Sequence, residues 1–386
     1  MMFIIDILIY VVFAMIMSWF ARMSERETLN NPNRWDRYLT YYTLFFTVIA
    51  ALRWNVGSDS KAYTWMFHTG KGVSQDSPEV IWYHIVDFVY GNGLHWAFGL
   101  AILGFLQMFF IVKALKQYRF MLIFLPFVMF GGRYWSELMG ASRQMVAACI
   151  FVWSVRFIIE RKPLKYFITI FLASFIHASS IVLLVFYFIP LKINAYKHRW
   201  LLLTGFLLCV VLGQTPSLQN YVQLMAESIS SIGYERYTEE MTSAVMGETD
   251  GALSFGPMML SYFLIPIFII WFGPKLADAY GKEIKEFQVW YNVAYFYACV
   301  YFFICNISYL FIRPLMYFGL FQMLMATLLF KYLIDRIYRS RAMYLAAISY
   351  CVVIFTNSAW DVYKASQSRL DHVTYKVFFM HKTWGK

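Results

Sequence analysis

The chain has 386 residues; 60% are hydrophobic and 21% aromatic, but only 14% are charged. Soluble domains carry roughly 25% charged residues and about 45–50% apolar ones, so a soluble enzyme is excluded. The net charge of +11 does not point to nucleic acid, because the bases gather in short loops between apolar runs, as membrane topogenesis requires.

Apolar runs near or above the roughly 17–20 residues that cross a bilayer recur from end to end. They predict an all-α, polytopic integral membrane protein, with residues 1–386 forming one membrane domain. Phe3–Phe20 has no charged leader or small-residue cleavage site and reads as a retained helix. The loop Ala21–Arg37 carries Arg22, Arg26, Arg34 and Arg37 and is expected in the cytosol. Tyr38–Leu52, the second span, then delivers the polar cluster Arg53–Tyr63 to the outer face. Pro78–Tyr90 mixes Trp82, Ile85, Val86 and Val89 with Glu79, His84 and Asp87, which suits a short helix in the outer interface.

A third span from about His95 to Val112 ends at Lys113, Lys116 and Arg119. A short apolar run to Phe130 leads outward to Gly131–Gln144, and Met145–Ile159 returns to Arg161, Lys162 and Lys165. Tyr166–Pro190 as one helix would put every later basic loop outside. A hairpin of half-helices, turning near His177-Ala178-Ser179-Ser180, keeps those loops inside; broken backbone at membrane depth needs protein or a wet cavity around it. Trp200–Leu212 leads out to the acidic stretch 213–254, which reads as an amphipathic periplasmic lid. Phe255–Phe272, Phe287–Ile312, Leu315–Phe330 and Tyr344–Thr356 bring the total to about twelve crossings. The tail from Asp361 is expected outside, although its bases fit that side badly. No internal repeat of the transporter kind is visible.

The five cysteines all lie in apolar runs, and none forms a C-x-x-C pair, so neither a disulfide framework nor a metal site is expected. Most of the 33 Lys and Arg are explained by topology. Arg53, Arg133, Arg143 and Arg313, all at outer span ends, are not. Ionisable groups at membrane depth are costly and usually paired or functional, and the planar fork of arginine suits phosphate. Bland readings stand beside this one. Arg53 can snorkel next to Trp54, Arg133 and Glu137 can form a surface pair, and Arg143 can be an exposed cap. Asp59 with Gly57 can be turn chemistry, and His177 can be a satisfied structural histidine. The aromatics mostly suit a lipid-facing belt; Trp54, Tyr63, Trp65, Tyr134 and Trp135 are the ones placed to stack on sugars.

Taken in order, these pieces resemble the EpsG-like branch of the Wzy-type polysaccharide polymerases. The matching residues are Arg53-x-x-Val-Gly-x-Asp59-x-x-x-Tyr63, Pro78-Glu79 and Ser142-Arg143-Gln144, then Phe175-Ile176-His177-Ala178-Ser179 and Arg313 followed by Tyr317. The resemblance covers roughly residues 40–330. It implies a GT-C-like, inverting glycosyltransferase of the bacterial inner membrane that needs no cofactor. Such enzymes join oligosaccharide repeat units carried on undecaprenyl pyrophosphate into capsule, exopolysaccharide or O-antigen chains at the periplasmic face. Donor and acceptor lipids, the bilayer and a chain-length regulator are the implied partners. On that reading Arg143 and Arg313, helped by Arg53 or Arg133, hold the pyrophosphate, while Asp59, Glu137 or His177 serves as base. Tyr63, Glu79, Trp135, Gln144 and Tyr317 are the remaining substrate-contact residues. A flippase of the same lipids, an O-antigen ligase-like enzyme and a membrane O-acyltransferase are the rival readings.

Overall fold

A computed structural model describes residues 2–29, 31–132, 134–189, 193–215, 256–305, 312–368 and 375–380. The fold is all-α and polytopic, as expected. Its helices are α1 (Met2–Glu27), α2 (Arg37–Leu52), α3 (Ser60–Thr69), α4 (Val80–Gly91), α5 (Ala97–Leu115), α6 (Arg119–Gly131) and α7 (Tyr134–Gly140). They continue with α8 (Ser142–Ile159), α9 (Pro163–Ser174), α10 (Arg199–Gly213), α11 (Pro257–Tyr280), α12 (Phe287–Ile304), α13 (Met316–Ile334) and α14 (Arg341–Ser368). Among the described residues, seven helical stretches, in α1, α5, α8, α10, α11, α13 and α14, are long and apolar enough to cross a membrane. The acidic stretch 213–254, apart from its first three residues, and Arg133 lie outside the described residues.

Two helices form the centre. Fully 89% of the α13 span and 78% of the α8 span are buried within the protein, against 17% for the α10 span. A helix that is apolar all round is stable only when enclosed, and α8 and α13 are enclosed by α5, α6, α12 and each other. Both central helices therefore present their N-terminal ends, Ser142-Arg143 and Arg313-Pro314, to one end of the bundle.

The other end is basic. Arg119, at the start of α6, donates to the carbonyls of Pro32 and Arg34 and sits 3.2 Å from Asp36. Lys116 reaches the Asn33 carbonyl at 2.7 Å, and the Tyr118 hydroxyl reaches Glu286 at 2.7 Å. The loops that the charge pattern assigned to one side thus touch one another.

The segment Tyr166–Pro190 folds as the expected hairpin as far as it is described. The Tyr166 hydroxyl donates to the Leu183 carbonyl at 2.6 Å, and the Tyr166 and Tyr187 rings lie 5.5 Å apart, so the chain doubles back. Its turn falls at Phe175–His177, slightly before the expected place, and the returning arm, Ala178–Tyr187, is a 3₁₀ helix. Runs of 3₁₀ beyond three or four residues are uncommon. Here the tighter winding stretches ten residues to about 20 Å, matching the about 18 Å of the twelve-residue α9.

Candidate functional site

Five separated stretches meet at the N-terminal ends of α8 and α13, with Glu79 in the middle. One oxygen of its carboxylate pairs with the Arg143 guanidinium. The other accepts the Ala178 N–H at 2.9 Å and lies 3.2 Å from His177 Nδ1. That ring nitrogen is buried and makes no well-aligned hydrogen bond. Burial pushes the Glu79 carboxyl up, but His177, Arg143 and the Ala178 N–H outweigh it and hold the group below the usual carboxylate range. Glu79 stands at the N-cap position of α4 yet makes no cap hydrogen bond. A carboxylate there ordinarily accepts from its own helix. This one is turned to Arg143 and His177 instead.

Arg143 is fixed on two further sides and left unpaired at one atom. Its guanidinium lies 4.9 Å from the centre of the Trp82 ring, its backbone N–H donates to the Tyr63 hydroxyl at 3.3 Å, and its Nε is buried without a hydrogen-bond partner. Burial pushes the Tyr63 phenol up, so Tyr63 stays neutral. Next along α8, Gln144 Nε2 donates to the Arg313 carbonyl at 2.5 Å, which ties the two central helix ends together. The Arg313 guanidinium lies 3.9 Å from Asp59, both partly exposed. Asp59, like Glu79, occupies an N-cap position without capping its helix. Below Arg313, the Tyr317 hydroxyl is 2.8 Å from Ser179 Oγ, and the Tyr317 and His177 rings are 6.3 Å apart.

Gly57 explains how the opening cluster reaches this place. Its φ of +93° is in the left-handed region, and a Cβ there would run into the backbone of Met139 and Gly140. Only glycine lets the α2–α3 loop lie against the end of α7, just before α8.

Asp59, Tyr63, Glu79, Arg143, Gln144, His177, Arg313 and Tyr317 therefore lie together at this end. Arg53 lies beneath them, 1% exposed, with its guanidinium donating to the Ala50 carbonyl at 2.5 Å, to Ser142 Oγ at 3.3 Å and to the Met139 carbonyl at 3.5 Å. It props the start of α8 and does not open to the mouth. Trp135 packs among Phe46, Phe130 and Tyr375 in the core, away from any place a sugar could stack. Glu137 receives the Tyr262 hydroxyl at 3.4 Å. Arg133 lies outside the described residues.

The sequence reading missed the tie between Ser179 and Tyr317, the stacking of Arg143 on Trp82 and the central place of Glu79. The last had a signal: an acid directly after a proline, at a helix start, among aromatics. The described part of the tail, Tyr375–Met380, returns to this end; Arg53 bridges to Val377, the Trp54 N–H donates to the Lys376 carbonyl at 2.7 Å, and Phe378 stacks on His95. Among the described residues, no three His, Cys, Asp or Glu side chains form a metal-binding group.

Neither a curated protein nor a solved structure matches this chain significantly. The sequence pattern of the EpsG family matches residues 36–370, from the N-cap of α2 to just past the end of α14. That span takes in every residue of the cluster around Glu79, and the chain is a multi-pass membrane protein of the EpsG family.

Proposed function

We propose that the protein is a polysaccharide polymerase that joins undecaprenyl-pyrophosphate-linked oligosaccharide repeat units, with inversion, at the periplasmic face of the bacterial inner membrane. Family membership supports a polymerase of this type. The observation that carries the mechanism is the Glu79 carboxylate, shared between the Arg143 guanidinium and the His177 imidazole. The basic end of the bundle is cytosolic by the positive-inside rule, so the opposite end, with the cluster, faces out.

Arg143 and Arg313 bind the donor's pyrophosphate. They stand at the N-terminal ends of the two central helices, where the helix dipoles add to their positive charge. Glu79 and Trp82 fix the plane of the Arg143 guanidinium. The acceptor sugar hydroxyl attacks the anomeric carbon of the donor, the bond from that carbon to the pyrophosphate oxygen breaks, and undecaprenyl pyrophosphate leaves. Charge grows on the leaving oxygen, and donors already aimed at that position are commonly the largest catalytic contribution.

His177 takes the proton of the attacking hydroxyl. Glu79 faces its Nδ1 and orients the ring, leaving the other nitrogen for the sugar, in the manner of a carboxylate-backed general base. Asp59 is the weaker choice because Arg313 lies beside it, and Glu137 because it sits with Tyr262. Neutralisation of the pyrophosphate by arginines makes a divalent ion unnecessary on this reading. Purified protein given lipid-linked repeat units in the presence of a chelator should yield a ladder of longer chains. A ladder that disappears with the chelator and returns with a divalent ion would overturn the metal-free mechanism. Uptake of the lipid across a vesicle membrane without chain growth would favour a flippase.

A further inference from the structure

At the basic end of the bundle, far along α8 from Arg143, α5, α8 and α12 with the loop before it border a cavity of about 80 Å³ that opens to solvent. Lys113, Arg156 and Lys285 line it, facing Glu160 and Glu286. The two carboxylates are already engaged. Glu160 lies 2.7 Å from Lys162 Nζ and 3.6 Å from Arg156, and Glu286 accepts the Tyr118 hydroxyl. Three N–H groups of the lining residues, Trp153 Nε1, Trp290 Nε1 and Arg156 Nε, are buried behind the walls and make no hydrogen bond. Buried polar groups left unpaired are rare and costly. Three of them on residues around one cavity, beside Lys113, Arg156 and Lys285, leave the place rich in donors and short of acceptors.

We propose that this cavity holds the phosphate-bearing headgroup of an anionic lipid. A phosphodiester supplies acceptor oxygens and a negative charge, which suits donors and cations together. The cavity lies in the last turns of the crossing helices α5 and α8, between two tryptophans, at the depth where indoles and lipid headgroups meet. Basic pockets between crossing helices on the cytosolic side are the sort of place such headgroups bind. Like charges also crowd there. Burial, Arg156 and Arg119 together hold the Lys116 ammonium below its usual range, and an anion relieves that crowding. Lys113 Nζ, 4.1 Å from the centre of the Trp153 ring, is held at the cavity wall in readiness. Inorganic phosphate offers the same chemistry without the acyl chains, and the test separates the two.

The full-length protein is equilibrated with phosphatidylglycerol and phosphatidylcholine of identical acyl chains, and the lipids retained after detergent exchange are counted by native mass spectrometry. Phosphatidylglycerol should be kept about tenfold over phosphatidylcholine, and Lys113→Gln or Arg156→Gln should each cut its retention roughly fivefold. Lys165→Gln, exposed at the same end but outside the cavity, should leave retention unchanged. Equal retention of the two lipids by the unaltered protein overturns the proposal, whatever the variants do. Equal loss in Lys165→Gln overturns it too, by showing a diffuse surface effect. A rise in melting temperature with inorganic phosphate at constant ionic strength, alongside equal lipid retention, overturns the lipid in favour of a free anion.

Discussion

Two arginine–carboxylate pairs stand at opposite ends of the bundle, and they differ in how completely they are satisfied. At the basic end, Arg119 uses all three guanidinium nitrogens: Nε on Ser24, Nη1 on the Pro32 and Lys116 carbonyls, Nη2 on the Arg34 carbonyl and Asp36. Its partner Asp36 also caps α2, accepting the Tyr38 and Leu39 N–H groups at 2.7 and 3.1 Å. At the other end, Arg143 leaves Nε unpaired, and Glu79 and Asp59 occupy cap positions without capping. A protein that can build the first pair has no structural reason to leave the second incomplete. Local rules broken without a packing gain mark sites kept for something else. The same contrast holds within the basic end itself, where the complete Arg119 network lies near the unpaired donors of the Lys113–Arg156 cavity.

The comparison can be broken by substitution. Arg119→Ala should cost about 3–5 kcal/mol, because it leaves Asp36 buried and unpaired; thermal unfolding in detergent reads this directly. Arg143→Ala should leave the melting temperature close to that of the unaltered protein but lower chain extension roughly 10²–10³-fold. If the two variants lose stability equally, the distinction between a structural and a functional pair is gone. Gly57→Ala should cost about 1–3 kcal/mol from the backbone conformation alone, and contact with Met139 and Gly140 should loosen the site, so activity falls with stability.

The smallest effect is on pH. The folded state holds the Glu79 carboxyl below its ordinary value of 4.5, so its contribution to stability is fully present above about that pH. It is lost as the pH falls through the lower, folded value. Glu79→Gln should flatten this part of the stability profile. A profile that Glu79→Gln does not alter would remove the assigned pairing with His177 and Arg143.

Much of this was legible in the chain because the bilayer makes charge conspicuous. Arg143 and Arg313 stood out as bases that topology did not require, and the hairpin after Tyr166 followed from keeping Lys197 and Arg199 beside the other basic loops. Burial was harder to read. Arg53 and Trp135 sit in stretches that look like a site mouth, yet Arg53 is wrapped by carbonyls beneath α8 and Trp135 is ringed by Phe46, Phe130 and Tyr375. Which face of a short helix turns inward depends on neighbours distant in sequence. The place of Glu79 was hidden for the same reason, since Arg143 is 64 positions away from it and Ala178 is 99.

The account rests on Arg143 being held by Glu79 for a substrate phosphate. The most direct measurement is chain extension by purified Arg143→Ala, Glu79→Gln and unaltered protein, side by side, on lipid-linked repeat units with chelator present. The account predicts a full ladder from the unaltered protein, none from Arg143→Ala and a weakened one from Glu79→Gln, all three equally folded. A normal ladder from Arg143→Ala would contradict it.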